Sequence, residues 1–397
     1  MIPALRDQFN ASWTEGQYGA LMAHLQRHTG GAISFPISET PCFFPRTLIE
    51  QLATAGQELI RQSLSGDAGR AAERVVPDRF RGAASELHPT FLQVDFGLVL
   101  NADGIIEPRL VELQAFPSLY GFQMALAEAY CAAFDLPAGL HEYLDSMTRD
   151  SYRVLLREAI TNGHDPHEVV LMEIKPQRQK TWPDFVMTEH LWGVRAVDTA
   201  EVIKEGRRLF YRRDGALTQI RRVYNRVIPD ELERKGVMLP FDYRDDLDIE
   251  WTGHPEWFFR VSKFSIPWLK HPTVPRTWFL NEVQELALAR EDLLLKPLFS
   301  FAGGGIVFAP SDEQLAAIPD DQRDQYILQE RVSFAPVINT PHGATQAEIR
   351  MMYVWTDRLR AVLPLIRMGR GKMMGVDHNK GLRWVGASAG LIANEDA

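Results

Sequence analysis

The spacing of apolar residues changes character along the chain. Up to about residue 85 they recur every three or four positions, as in Leu48, Ile49, Leu52 and Ile60, the period that gathers them on one helix face. From Thr90 the pattern turns to alternating and β-branched runs, FLQVDFGLVL and then IIEPRLVELQ, which predict a pair of strands. Residues 122–160 return to helical spacing. Between 168 and 225 the short strands VVLMEI, RRLFY and QIRRVYN are interleaved with AEVIKEG, read as a helix. The stretch around 240–257, acidic and without period, marks a boundary. Beyond it come Lys263, the turn-forming PTVPRTWF, a predicted helix NEVQELALARED, a strand LLLKPL, a glycine run, a strand YILQERV and a hairpin EIRMMYVW…AVLPLIR. Helices and strands that interleave this way predict an α+β chain. The expected regions are 1–89, helical; 90–250, an α/β region carrying a strand pair and a substrate site; and 251–397, a nucleotide-binding region.

Two Asp-Gly pairs, Asp103-Gly104 and Asp214-Gly215, are the clearest hairpin turns in the sequence. If Asp103-Gly104 forms a two-residue loop, Asp95 lies opposite Glu112, and Gln114 shares that face two residues on. Carboxylates placed across a strand pair repel unless a cation joins them. Apolar neighbours on both strands favour a Mg²⁺ site over two acids facing water, because hard oxygen ligands suit that ion. The second pair sets Arg208 opposite Arg221, a charged sheet edge or an attractor of anions. His164 and His167 with Glu168 lie in a loop broken by Pro166 and read as a solvated turn.

The segment LLLKPLFSFAGGGIVF carries the candidate chemistry. A strand ends at Lys296-Pro297, and Gly303, Gly304 and Gly305 follow before a second strand. Such a triplet lets backbone N–H groups approach an anion while a nearby ammonium neutralises it. It is neither a Walker A loop nor a GxGxxG turn. Lys263 precedes Lys296 by 33 residues; YILQERV follows the loop and emerges at Gln329-Glu330, suited to meet an adenine; AEIRMMYV then puts Glu348 and Arg350 on one strand face.

This order of lysine, Val-Pro turn, Lys-Pro strand, glycine loop, Gln-Glu hinge and Glu-x-Arg strand resembles the ATP-grasp superfamily over about residues 260–370. The acidic strand pair VDF…VELQ lies upstream of all of it, which resembles the circularly permuted branch of glutathione synthetase and glutathionylspermidine synthetase. RRLFYRRDGALTQIRRVYNR resembles a hairpin of that branch, with Arg226 its terminal arginine, and VDHNKGLRWVGASAG resembles its second lid. The resemblance implies an ATP-grasp fold in permuted order. It implies Lys263 and Lys296 on the α and β phosphates, Gly303, Gly304 and Gly305 closing over them, and Gln329, Glu330 and Val332 around the adenine. It also implies Mg²⁺ held by Asp95, Glu112 and Gln114 with Glu348 completing the shell, and Arg350 and Arg226 as catalytic residues. Gln114 stands where the family usually has Asn.

Composition narrows the partners. The 397 residues carry 43 Lys+Arg against 52 Asp+Glu, a net charge of −9, which argues against broad binding to nucleic acid. Two cysteines exclude a disulfide framework, and no apolar run reaches the length of a membrane span. The start MIPALRDQFNASW lacks the pattern of a secretory signal, so a cytoplasmic enzyme is expected. Its partners would be a small-molecule carboxylate and an amine, with a homodimer allowed. The expected activity is ATP- and Mg²⁺-dependent joining of carboxylate to amine; a small-molecule phosphotransferase and a non-catalytic nucleotide-binding protein are the rivals.

Overall fold

Strand-forming segments from both ends of the chain meet in one sheet. The computed structural model describes residues 1–31, 33–82, 86–300, 303–374, 379 and 381–393. With strands numbered along the chain, this sheet contains β1 (Cys42–Pro45), β2 (Phe91–Leu100), β3 (Ile106–Gln114), β4 (Leu140–His141), β16 (Gln346–Trp355), β17 (Leu359–Gly369) and β18 (Gly386–Ala393). Their order is β1-β18-β17-β16-β2-β3, with β4 paired to β18. Strands from all three expected regions therefore share one sheet.

The two faces of this sheet differ because side chains alternate along a strand. Val94, Phe96, Ile349 and Met351 point to one face and join a core with Ile49, Leu52, Leu59 and Ile60. Those four residues lie on helix α3 (Arg46–Ser63), preceded by α1 (Pro3–Ser12) and α2 (Glu15–Thr29) and followed by α4 (Gly66–Val75). On the opposite face, Phe91, Met352, Val354 and Leu363 pack under α5 (Tyr120–Ala133) and α6 (Arg149–Thr161). Further along that same face come Asp95, Glu348 and Arg350, which are buried yet charged. The apolar half seats helices; the charged half is left for a site.

A second sheet is wholly parallel, in the order β11-β10-β5-β6: β5 (Val169–Glu173), β6 (Arg195–Asp198), β10 (Arg222–Asn225) and β11 (Glu250–Thr252). The continuous apolar run Val169–Met172 is fully buried, as a strand covered on both faces requires. Helices α7 (Trp182–Trp192) and α8 (Pro229–Arg234) connect its strands. A three-stranded sheet of β7 (Ile203–Glu205), β8 (Arg208–Arg213) and β9 (Ala216–Ile220) follows β6. Asp214 and Gly215 both take positive φ, and Arg213 pairs with Ala216, so the predicted two-residue turn forms. The last sheet, in the order β12-β15-β13-β14, contains β12 (Thr277–Phe279), β13 (Leu293–Pro297), β14 (Val307–Phe308) and β15 (Tyr326–Glu330). A short helix α9 (Glu256–Arg260) leads to a 3₁₀ helix at Lys263–Trp268.

Several expectations are corrected. AEVIKEG is a 3₁₀ turn at Thr199–Glu201 followed by β7, because Ile203 and its neighbours pair with β8. NEVQELALARED holds only 3₁₀ turns, Leu280–Glu282 and Arg290–Asp292; Leu286 and Leu288 pack onto a small core of Leu280, Leu293, Leu295 and Leu328 without helix geometry. The helical N-terminal region also contains β1, whose Cys42, Phe43 and Phe44 are buried against β18. GASAG is no lid: Gly386–Gly390 begins β18, a buried strand between β1 and β17. Residues 376–378 and 380 of the same motif lie outside the described residues. Among the described residues no helix is long and apolar enough to cross a membrane.

Candidate functional site

The pairing of Asp95 with Glu112 forms, by a route the turn alone does not predict. The connection is Asn101–Ile105, where the Asn101 side chain accepts N–H bonds from Asp103 and Ile105. That loop shifts the register by one residue, and a bulge at Val111 shifts it back, so Asp95 again faces Glu112 and Gln93 faces Gln114. The bulge re-aims Val111 as well, a common role of bulges beside functional sites. Its carbonyl lies 3.5 Å from the Lys296 ammonium.

A cavity of about 370 Å³ opens between the charged half of the main sheet and the β12–β15 sheet. Asp95, Glu112 and Glu348 line it, together with seven cations: Lys180, Lys263, Lys296, Arg331, Arg350, Arg367 and Lys372. In a chain of net charge −9 this excess of cations is local and makes the cavity an attractor of anions.

Charge on the sheet face is tightly paired. Arg350 donates two hydrogen bonds of 2.7 Å to Asp95, one to each carboxylate oxygen. Arg367, from the next strand, reaches both Asp95 and Glu348. Burial opposes charge on Asp95, but Arg350 and Arg367 outweigh it and hold the carboxyl below its usual range. Burial pushes Glu348 up to about 7, helped by Asp95 and opposed by Arg367. The Gln114 amide donates to Gln93. No hydrogen bond from a described side chain reaches Glu112.

Both predicted lysines face the cavity and are buried. Lys263 donates to the Ser300 carbonyl at 2.7 Å, and Lys296 to the Gln329 amide oxygen at 2.6 Å. Burial lowers Lys296 to about 8; Glu112 opposes that shift and Lys263 adds to it. Gly303 and Gly305 take φ of 74° and 73°, conformations that favour glycine, and Gly303 lines the cavity. Phe301 and Ala302 of the same loop lie outside the described residues.

Some predicted residues sit differently. Gln329 lines the cavity, on a strand, β15, that is paired on both sides, and the Glu330 N–H donates to the Arg276 carbonyl. Gln329 spends its side chain on Lys296 and Thr277, and Glu330 pairs with Arg276. Val332, just beyond the strand, lines the cavity. Arg226 is buried one layer back, its guanidinium 5.5 Å from the ring of Phe116, which lines the cavity; two of its nitrogens have no hydrogen-bond partner. Arg208 and Arg221 are not joined to the site, and Arg221 lies 3.9 Å from Glu168. Sequence reasoning missed Arg367 and Phe334. The basic end of AVLPLIR, two residues beyond Leu365 on the strand, was the available signal for Arg367. Phe334 packs into the space left by Gly97, where a Cβ would stand 1.8 Å from its ring.

No family model and no curated protein matches the sequence. Among solved structures, the chain is similar to a glutathione synthetase-like effector from Globodera pallida, determined in its apo form, with a TM-score of 0.58 and 12% sequence identity. The match covers 95% of this chain and 96% of that one, so it extends over nearly the whole of both. The likeness is one of fold: this chain has a glutathione synthetase-like α+β architecture.

Proposed function

We propose that the chain is an ATP- and Mg²⁺-dependent ligase of the permuted ATP-grasp type, activating a carboxylate as an acyl phosphate and joining it to an amine. One observation carries the reading: seven cations, among them the buried Lys263 and Lys296, converge on the acidic face of the main sheet in a single cavity. The substrate carboxylate oxygen would attack the γ-phosphorus, and ADP would leave with the electron pair of the broken P–O bond. The amine would then attack the acyl carbon, inorganic phosphate would leave with its C–O pair, and the surplus amine proton would pass to solvent. Phosphoryl transfer needs positioning and charge neutralisation more than covalent help. Lys263 and Lys296 supply that for the phosphates, and Arg350, fixed by Asp95, for the transferring group or the substrate carboxylate.

The donor set fits magnesium. Of the four expected ligands, Glu112, the amide oxygen of Gln114 and the carboxylate of Glu348 would hold the ion; Asp95, both of whose oxygens are taken by Arg350, would instead orient the two arginines. Oxygen donors of this kind suit an ion that takes one or two carboxylates and completes its shell with phosphate and water. When bound it would neutralise charge on the transferring phosphate.

Screening amino acids, short peptides and polyamines for ADP release, with mass spectrometry of the products, tests the reading. A condensed product supports it; a stable phosphorylated product would mean a phosphotransferase. A non-catalytic nucleotide-binding protein is the second reading, favoured by one observation: Arg367 already neutralises both Asp95 and Glu348. Nucleotide binding with no ADP release from any candidate would select it.

A further inference from the structure

The cavity is not uniform along the sheet. Lys296 touches Val111 on β3, at one end of the run β18-β17-β16-β2-β3. Ala387 on β18 lines the other end. Four strand intervals separate them, roughly 19 Å at the usual spacing. The far end is walled differently. The segment around Phe35 is laced to β18: the Ala387 N–H donates to Pro36 at 2.9 Å, and the Ser38 N–H donates to Ala387 at 2.8 Å. Phe35 itself is braced edge-on by Phe122, ring centres 5.3 Å apart. Leu119, Leu365 and Ala387 complete an apolar wall. Arg367 is paired in register with Ala387 and sits two residues from Leu365, and its Nε is buried without a partner.

A half-buried cation at the edge of an apolar recess matches a ligand that is anionic at one end and apolar at the other. We infer that this arm binds an α-amino acid with an apolar side chain, the side chain between Phe35 and Leu365 and the carboxylate toward Arg367. The inference rests on the ligase reading only in treating this arm as the place of one of the two substrates. Leaving water is worth enough for a leucine or phenylalanine side chain to give tenfold selectivity or more over glycine. Ala387 is the residue whose small size keeps the recess open.

The test is calorimetric titration of L-phenylalanine, L-leucine, glycine and L-glutamate into the intact protein, alone and with a non-hydrolysable ATP analogue and Mg²⁺. Phenylalanine and leucine should bind at least tenfold tighter than glycine and glutamate in one of the two arms. Phe35→Ala should weaken phenylalanine about tenfold. Ala387→Val, which narrows the recess while keeping a strand-compatible residue, should weaken phenylalanine several-fold while melting scans still show a cooperative folded protein. Glutamate or glycine binding as tightly, no phenylalanine binding in either arm, or an Ala387→Val protein that binds phenylalanine like wild type would overturn the inference. Phenylalanine bound where the nucleotide analogue is not would leave the inference standing and remove the ligase reading.

Discussion

Arg350 clasps Asp95 through two parallel 2.7 Å hydrogen bonds between adjacent strands, in register on one face of the main sheet. The bidentate geometry suits the planar guanidinium and fixes its direction. Because Arg367 leans on the same carboxylate, removing the charge of Asp95 leaves the buried Arg350 without its partner and the half-buried Arg367 with Glu348 alone. Asp95→Asn should therefore destabilise the protein by about 3–5 kcal/mol, the cost typical of breaking a buried pair from one side. Chemical denaturation measures it. A loss below about 1 kcal/mol would show the cluster to be solvated.

Lys296 should make stability and binding move in opposite directions. Its folded pKa of about 8 lies below the 10.5 expected when unfolded. Between these values the unfolded chain binds the proton more tightly, so stability contributed at this site rises with pH through that window and the penalty is constant below it. Lys296→Met removes the dependence. The stability of wild type relative to Lys296→Met should rise from pH 8 to pH 10 by an amount on the order of 3 kcal/mol at most, read from paired denaturation curves. Parallel curves across that range would contradict a desolvated ammonium.

Gly97→Ala tests the wall that Phe334 forms. The added methyl would stand 1.8 Å from the ring, which must swing out while its backbone stays tied through the Ala335 N–H to Leu98. A cost of about 1–3 kcal/mol is expected, as for overpacking. The double variant Gly97→Ala/Phe334→Ala should recover most of it. Failure of the second substitution to help would mean that the strand itself rejects the side chain.

Glu112 accepts no hydrogen bond from a described side chain, so Glu112→Gln should leave ligand-free melting within about 1 °C of wild type. The predicted loss is functional: ADP release in Mg²⁺ should fall at least a hundredfold, as expected where an anionic ligand to the metal is neutralised. Melting scans and an ADP assay run in parallel distinguish this from a structural role.

The legible parts of this chain were those governed by local period. Alternation in FLQVDFGLVL and VELQ placed Asp95 and Glu112 on facing positions, and the Asp214-Gly215 turn fixed its hairpin register. Even there, the pairing arises from two errors that cancel, a longer turn and the Val111 bulge, neither of which leaves a mark in residue spacing. NEVQELALARED reads as a helix because its leucines are suitably spaced, but they are held by a neighbouring sheet. Arg367 was illegible because its partners, Asp95 and Glu348, come from strands 272 and 19 residues away and meet it only when the sheet assembles. The pairing of the Gln329-Glu330 strand was illegible for the same reason: its neighbour β12 comes from about 50 residues upstream and meets it only when the sheet assembles.

The most direct test of the central claim is calorimetric titration of Mg²⁺-ATP into wild type and into Lys296→Met. One nucleotide should bind per chain, and the variant should bind about ten- to a hundredfold more weakly, the loss expected when a charge-assisted contact worth about 1.5–3 kcal/mol is removed. No binding by wild type at millimolar nucleotide, or equal binding by Lys296→Met, would contradict a phosphate site between these sheets.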